Sequence, residues 1–204
     1  MFTGLVEAMG TVVAVTPKGG DVEVTIDAGA LALGDTAIGA SISVGGACLT
    51  ITRIAGSRFS ADLSRETLTH TTLGAIASGH RVNLERPLLA GQPLGGHYVT
   101  GHVDGIGRVT ERAKEARSIR LTIELPAALA RYVAAKGSVA IDGVSLTVNE
   151  VNGARFGVNL IPHTSLVTTL GALKPGDQVN IEVDIIARYL ESLLGPFIDL
   201  HQKR

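Results

Sequence analysis

The sequence predicts an all-β chain in which one domain is duplicated in tandem, each copy a small closed barrel or sandwich of about six short strands. Three observations predict it. Sliding the chain against itself by 97 positions, without a gap, makes 28 of the 90 pairs from Phe2 to Gly91 identical. Unrelated chains of average composition would share about 7. Apolar and polar residues alternate in short runs at a period of two, the spacing of half-buried strands. Gly, Ser and Asp, which favour turns, bound those runs. A unit of 97 residues buries a core of its own, so two copies make two domains.

In chain order, Thr3-Gly4 opens the first copy and aligns with Thr100-Gly101, as Gly10 does with Gly107. Val22 to Ile26 alternates as a strand, and so do Ser41 to Val44, Leu49 to Thr52, Phe59 to Leu63 and Arg81 to Glu85. The second copy repeats them at Arg120–Ile123, Val139–Ile141, Leu146–Val148, Arg155–Leu160 and Val179–Val183. Ala-rich stretches at Ala28–Leu33 and Ala127–Ala135 predict short connecting helices. Pro87 to Gly96 reads as the linker, which divides the chain into a first domain over 1–90 and a second over 97–184. The symmetry then breaks. Ile185, Ile186, Tyr189, Leu190, Leu193 and Leu194 fall on one helical face, with Asp184 as N-cap and Gly195-Pro196 as a stop. This helix and tail, 185–204, has no counterpart in the first copy, and its surplus apolar stripe predicts a subunit contact.

Composition excludes several functions. Eighteen Lys and Arg against 19 Asp and Glu leave a net charge of −1, without the basic excess of a nucleic-acid binder. A lone cysteine, Cys48, allows neither an internal disulfide nor a cysteine-built zinc site. His97 and His102 are spaced onto opposite faces of a strand, and no HExxH motif occurs, so no metal is expected. Gly105-Ile106-Gly107-Arg108-Val109-Thr110 lacks the third glycine of a dinucleotide loop, and neither a P-loop nor a Gly-x-Ser-x-Gly elbow is present. MFTGLVEAMG is not a secretory signal and no long apolar run exists, so the expectation is a cytoplasmic protein without membrane contact.

Cys48 and Ser145 occupy equivalent positions, each followed by Leu-Thr. The cysteine reads either as a small buried hydrophobe or as a nucleophile; the serine opposite it favours a pair of small, weak donors. Asp62–Thr67 (DLSRET) aligns with Asn159–Thr164 (NLIPHT). Such segments either hydrogen-bond a polyol or heterocycle edge or cap a turn. The glycines of Gly95–Gly105 either let backbone approach a ligand beside two imidazoles or simply turn the chain. Lys136 and Asp142 face Gly39 and Gly45 in the other copy, so the copies are not chemically identical. The residues define two similar sites for similar polar ligands.

MFTGLVE at the N-terminus, GACLT at 46–50, GGHYVTGHVDG at 95–105, DGVSLTV at 142–148 and IPHT at 161–164 together resemble the riboflavin synthase family, alpha-chain type, over essentially the whole chain. Gly45 stands where that family's first motif usually has Asn. The resemblance implies two six-stranded Greek-key barrels and a C-terminal helix that holds a homotrimer. It implies dismutation of two 6,7-dimethyl-8-ribityllumazine molecules, bound together in one site, to riboflavin and 5-amino-6-ribitylaminouracil, with no external cofactor. Each site would lie between the first barrel of one subunit and the second barrel of its neighbour. One lumazine would contact Gly4, Leu5, Val6, Gly101, His102, Val103, Ser145, Leu146, Thr147, Asn159, Leu160, Ile161, Pro162, His163 and Thr164. The other would contact Cys48, Leu49, Thr50, Asp62, Leu63, Ser64, Arg65, Glu66, Thr67 and Lys136 of the partner subunit, with Phe2 and Thr3 closing over the site. His102 would assist proton transfer, while Ser145, Cys48 and Asp184 would orient or activate groups at C7 of the lumazine. The resemblance leaves room for association with lumazine synthase. The rival is a non-catalytic lumazine or flavin carrier on the same barrels; a flavin reductase would need a nucleotide-binding half that these 204 residues lack.

Overall fold

The computed structural model describes the backbone of residues 1–202 and the side chains of residues 1–194. Two closed antiparallel barrels contain all twelve strands of the described residues. The first contains β1 (Ala8–Lys18), β2 (Asp21–Asp27), β3 (Ser41–Val44), β4 (Ala47–Ala55), β5 (Arg58–Leu63) and β6 (Arg81–Glu85), closed in the order β1-β2-β5-β4-β3-β6. The second contains β7 (Gly105–Glu115), β8 (Ser118–Glu124), β9 (Ser138–Ile141), β10 (Val144–Asn152), β11 (Arg155–Leu160) and β12 (Gln178–Val183), closed in the same cyclic order. Hairpins join β3, β4 and β5, and β2 returns beside β5 across the long 28–40 connection, which is a Greek key.

Alternation explains the cores. In β2, Val24 and Ile26 are buried while Glu23 and Thr25 between and before them are only partly covered; β8 repeats this with Leu121 and Ile123. Phe59 of β5 and Phe156 of β11 fill equivalent places in the two cores. β1 shifts register between Val12 and Ala14, and β7 does so between Val109 and Glu111, at the same repeat position. Such bulges add the bend that closing a small barrel requires.

Three expectations need correction. Ala28–Leu33 forms no helix: Gly29 takes φ +61° after Asp27, whose carboxylate accepts the Gly29 N–H, and Ala28, Leu31 and Leu33 are drawn into the barrel core. Burial of three apolar side chains outweighs alanine's helical preference. The second connection is helical only over Ala127–Tyr132, and as a 3-10 turn. The C-terminal helix, α3 (Ile185–Gln202), runs past Gly195-Pro196, so that pair is not the stop the sequence suggests. Its start is as expected: the Asp184 carboxylate accepts the Ile186 N–H at 3.0 Å. Glu191 of α3 pairs with Arg131 at 2.7 Å and with Tyr132, and Arg188 pairs with Asp104, so polar contacts seat the helix on the second barrel. Ile186, Tyr189, Leu190, Leu193 and Leu194 remain exposed within one chain. Residues 203 and 204 of the expected tail lie outside the described residues.

The barrels meet about a pseudo-two-fold axis. Phe2 and Val99, equivalent residues, form an antiparallel bridge with each other. Asn83 of β6 donates to the Asp142 carbonyl at 2.9 Å and accepts the Thr169 N–H at 2.8 Å. Asn180 of β12 makes the reciprocal pair, to the Gly45 carbonyl and from the Thr72 N–H, both at 2.7 Å. Gly45 thus keeps the main-chain half of its contact. Asp142 adds what glycine lacks, a carboxylate that accepts the Asn180 N–H at 2.7 Å.

Candidate functional site

Before the first strand of each barrel runs a short segment that leaves its own barrel and lies on the other. The carbonyl of Gly4, leading into β1, accepts the N–H of Ser145 on β10 at 2.9 Å. The carbonyl of Gly101, leading into β7, accepts the N–H of Cys48 on β4 at 2.8 Å. Val6 packs against the second core and Val103 against the first. Only glycine permits this approach. Gly4 and Gly101 take φ +78° and +82°, and a Cβ on either would stand 2.5 Å from the Cβ of Ser145 or Cys48.

Two buried glutamates hold these segments. Glu85 of β6 accepts the Thr3 N–H and hydroxyl, both at 2.7 Å, and the Gly4 N–H at 3.0 Å. Glu182 of β12 accepts the Thr100 N–H at 2.6 Å, its hydroxyl at 2.8 Å and the Gly101 N–H at 3.0 Å. Burial raises both carboxyls above their ordinary pKa, and the donated hydrogen bonds pull them part of the way back.

The structure brings the expected residues together in a different division. Gly101, His102 and Val103 belong with Cys48, Leu49 and Thr50, not with Ser145, because Gly101 sits on Cys48. Gly4, Leu5 and Val6 belong with Ser145, Leu146 and Thr147. Leu5, Thr50, His102 and Thr147 are exposed, whereas Cys48 and Ser145 are half-buried. Phe2 is fully buried beside Val99, Ala140 and Cys48, so it supports Cys48 from within the junction and does not lie over it. Thr3 is buried on Glu85.

The two hydroxyl-rich segments differ. Ser64 caps α1 (Arg65–His70) by accepting the Thr67 N–H at 3.2 Å, and Asp62 pairs with Lys18, so these polar groups are partly engaged in structure. Leu63 is buried, and Arg65 and Glu66 are exposed. In the second copy, Pro162 starts α2 (Pro162–Val167) with no side-chain cap. Asn159 Oδ1, at the end of β11, is buried with no hydrogen-bond partner among the described residues. Leu160 is buried, Ile161 and His163 are exposed, and Thr164 is half-buried. Lys136 is exposed at φ +68° before β9. Asp184 is half-buried at the start of α3.

His97 is the residue that sequence reasoning passed over in favour of His102. Its Nδ1 lies 2.7 Å from Ser145 Oγ, and its Nε2 is buried with no hydrogen-bond partner among the described residues. Burial holds its pKa below 6.5, against a smaller upward pull from the Asp184 carboxylate, so the ring is neutral at pH 7. Glu85 and Glu182 carry one sequence signal, their identity at the 97-residue offset at the ends of the matching runs Val82–Glu85 and Val179–Glu182.

Two equivalent clefts flank the lead segments. The first, about 600 Å³, is lined by Thr3, Leu5, Glu85, Arg86 and the linker; the second, about 330 Å³, by Thr100, His102, Asp104, Glu182 and residues Ile185 and Arg188 of α3. The helix narrows the second. Among the described residues no three His, Cys, Asp or Glu converge as metal ligands, and no helix is long and apolar enough to cross a membrane.

A duplicated barrel with one polar site per copy is the architecture of a tandem lumazine-binding-domain protein, and the lumazine binding domain model matches residues 3–87 and again 100–184. Riboflavin synthase of Photobacterium phosphoreum is 45% identical over 194 residues, covering 95% of this chain and 89% of that one. Riboflavin synthase of Brucella abortus is 44% identical over 198 residues, covering 95% and 98%. The chain belongs to the riboflavin synthase family and is an enzyme. Among solved structures, LumP complexed with riboflavin superposes at a TM-score of 0.82 and 26% identity, covering 90% of this chain and 99% of that one. LumP complexed with 6,7-dimethyl-8-(1'-D-ribityl) lumazine superposes at 0.79, with the same identity and coverage.

Proposed function

We propose that this chain catalyses the dismutation of two 6,7-dimethyl-8-ribityllumazine molecules, one giving a four-carbon unit to the other, to form riboflavin and 5-amino-6-ribitylaminouracil. The observation that carries the reading is the equivalence of the two candidate sites, each with a small polar residue, Cys48 or Ser145, beneath a crossed glycine segment. Two copies of one substrate call for two copies of one binding domain. The donor loses what the acceptor gains, so the reaction balances without an outside redox partner.

The lumazine C7 methyl is acidic because its carbanion delocalises into an electron-poor ring. The protein's main task is to hold two rings face to face, and such positioning supplies about 7–11 kcal/mol in favourable cases. Ser145 presents its hydroxyl to one lumazine while hydrogen-bonded to neutral His97, a pair able to pass a proton toward or away from C7. The exposed His102, beside Cys48, serves the other ring. Asn159 Oδ1 takes a ribityl hydroxyl or ring N–H. Asp184 acts on this site through its charge on His97, and Lys136 reaches the first-barrel site of a neighbouring subunit. The exposed stripe on α3 assembles a cytoplasmic homotrimer, which places the first-barrel site of one subunit against the second-barrel site of the next.

The test is to mix purified protein with the lumazine alone and measure products. One riboflavin and one pyrimidine from two lumazines is the expected result. Binding without turnover would instead support the carrier reading, which the likeness to a lumazine- and riboflavin-complexed LumP favours. A chain ending at Val183 is expected to lose both trimer and activity; full activity in a monomer would overturn the assembly.

A further inference from the structure

The paired glutamates have a wiring that their position does not suggest. Glu85 belongs to the first barrel, yet the segment it grips through Thr3 and Gly4 ends on Ser145 of the second. Glu182 belongs to the second barrel, yet the segment it grips through Thr100 and Gly101 ends on Cys48 of the first. Glu85 and Glu182 are 4% and 5% exposed, and each accepts three hydrogen bonds from a single segment. A second hydrogen bond stiffens each grip, since the Thr3 hydroxyl also accepts the Leu5 N–H at 3.1 Å and the Thr100 hydroxyl accepts the His102 N–H at 3.3 Å. Leu5 and His102 are exposed, and each follows the glycine that docks on a candidate site.

We infer that Glu85 and Glu182 are crossed positioning residues: Glu182 sets the geometry of the ligand site at Cys48, and Glu85 that of the site at Ser145. This rests on the reading of those two places as lumazine sites. Charge matters to the role. A carboxylate offers acceptors only, matching three donors, whereas a glutamine would turn an NH2 group against one of them. Neither glutamate touches the ligand in this scheme; each acts through a glycine carbonyl that fixes the backbone beneath it.

The single cysteine provides a site-specific reporter. In the full-length protein, the alkylation rate of Cys48 is measured with and without riboflavin, for the unsubstituted chain, Glu85→Gln and Glu182→Gln. Glu182→Gln is expected to change that rate by about tenfold and to remove riboflavin protection, while Glu85→Gln leaves both within about twofold. A Cys48→Ser/Ser145→Cys background moves the thiol to the other site, where the two glutamines are expected to exchange effects. Glu→Asp at either position is expected to restore part of the effect, because the acceptor set is kept. Equal responses of both thiols to both variants would overturn the inference and leave the glutamates as general supports. Failure of riboflavin to protect Cys48 in the unsubstituted chain would instead overturn the ligand-site reading on which it rests. Should a glutamine variant not fold, Thr3→Val and Thr100→Val remove one hydroxyl from each grip and are read in the same way, with the same crossed or uncrossed outcome deciding.

Discussion

His97 Nδ1 and Ser145 Oγ lie 2.7 Å apart, joining the start of the second domain to the first residue of its Ser145-Leu146-Thr147 motif. The contact makes the serine half of a pair, at the repeat position where the first copy has Cys48.

Burial holds His97 below 6.5, so the neutral ring favours the folded state. Its contribution is complete above pH 6.5 and is lost as pH falls through the lower folded value. A proton NMR titration should find the His97 ring titrating below 6.5. Asp184→Asn should lower it further, because the Asp184 charge is the upward influence. A His97 that titrates at 6.5 or higher would contradict the geometry. Ser145→Ala should reduce turnover by about tenfold or more, with the ring left in place.

Asp142 gives the opposite sign. Desolvation pushes its carboxyl up to about 7, against an opposing hydrogen bond from the Asn180 N–H. The folded state therefore prefers the protonated acid, a preference fully present below the ordinary value of 3.8 and lost as pH rises toward 7. Asp142→Asn keeps an oxygen acceptor and suits the left-handed φ of +46°. It should flatten the pH dependence of unfolding between about 4 and 7 and add about 1–3 kcal/mol at pH 8. Chemical unfolding at several pH values checks this; an unchanged pH slope would refute it.

Gly101→Ala and Gly4→Ala should each be costly, since a Cβ meets Cys48 or Ser145 at 2.5 Å and the backbone is left-handed. A loss of about 2 kcal/mol or more is expected, with ligand affinity falling chiefly at the site on the opposite barrel. Thermal unfolding and riboflavin fluorescence titration report the two effects separately.

Asn83→Ala and Asn180→Ala each remove two hydrogen bonds across the barrel junction. Each should cost about 1–3 kcal/mol in urea unfolding. The double variant should lose less than the sum, because the first substitution already loosens the junction that the second would break.

Much of this fold is legible in the sequence. The repeat placed Cys48 opposite Ser145, and alternation placed the strands, because a β-strand's side-chain period is a local property. What stayed hidden is non-local. Nothing near Gly101 says that its carbonyl meets Cys48 and not Ser145, since a lead segment can dock on either barrel without altering its own sequence. Within Gly95–Gly105 no local signal separates His97, which is buried, from His102, which is exposed. The alanines of Ala28–Leu33 suggested a helix, but their burial was decided by the barrel end that they plug.

The crossing of the two lead segments also orders events during synthesis. When β6 emerges from the ribosome the first barrel has all of its strands, yet the Cys48 N–H still lacks the Gly101 carbonyl, which has not been made. Gly4 waits longer, until Ser145 on β10 follows. A chain that folds from its N-terminus onward therefore passes through a closed first barrel whose Cys48 N–H still lacks its native partner, a partly finished species of the kind prone to wrong contacts. The residues translated first are among the last to reach their native contacts.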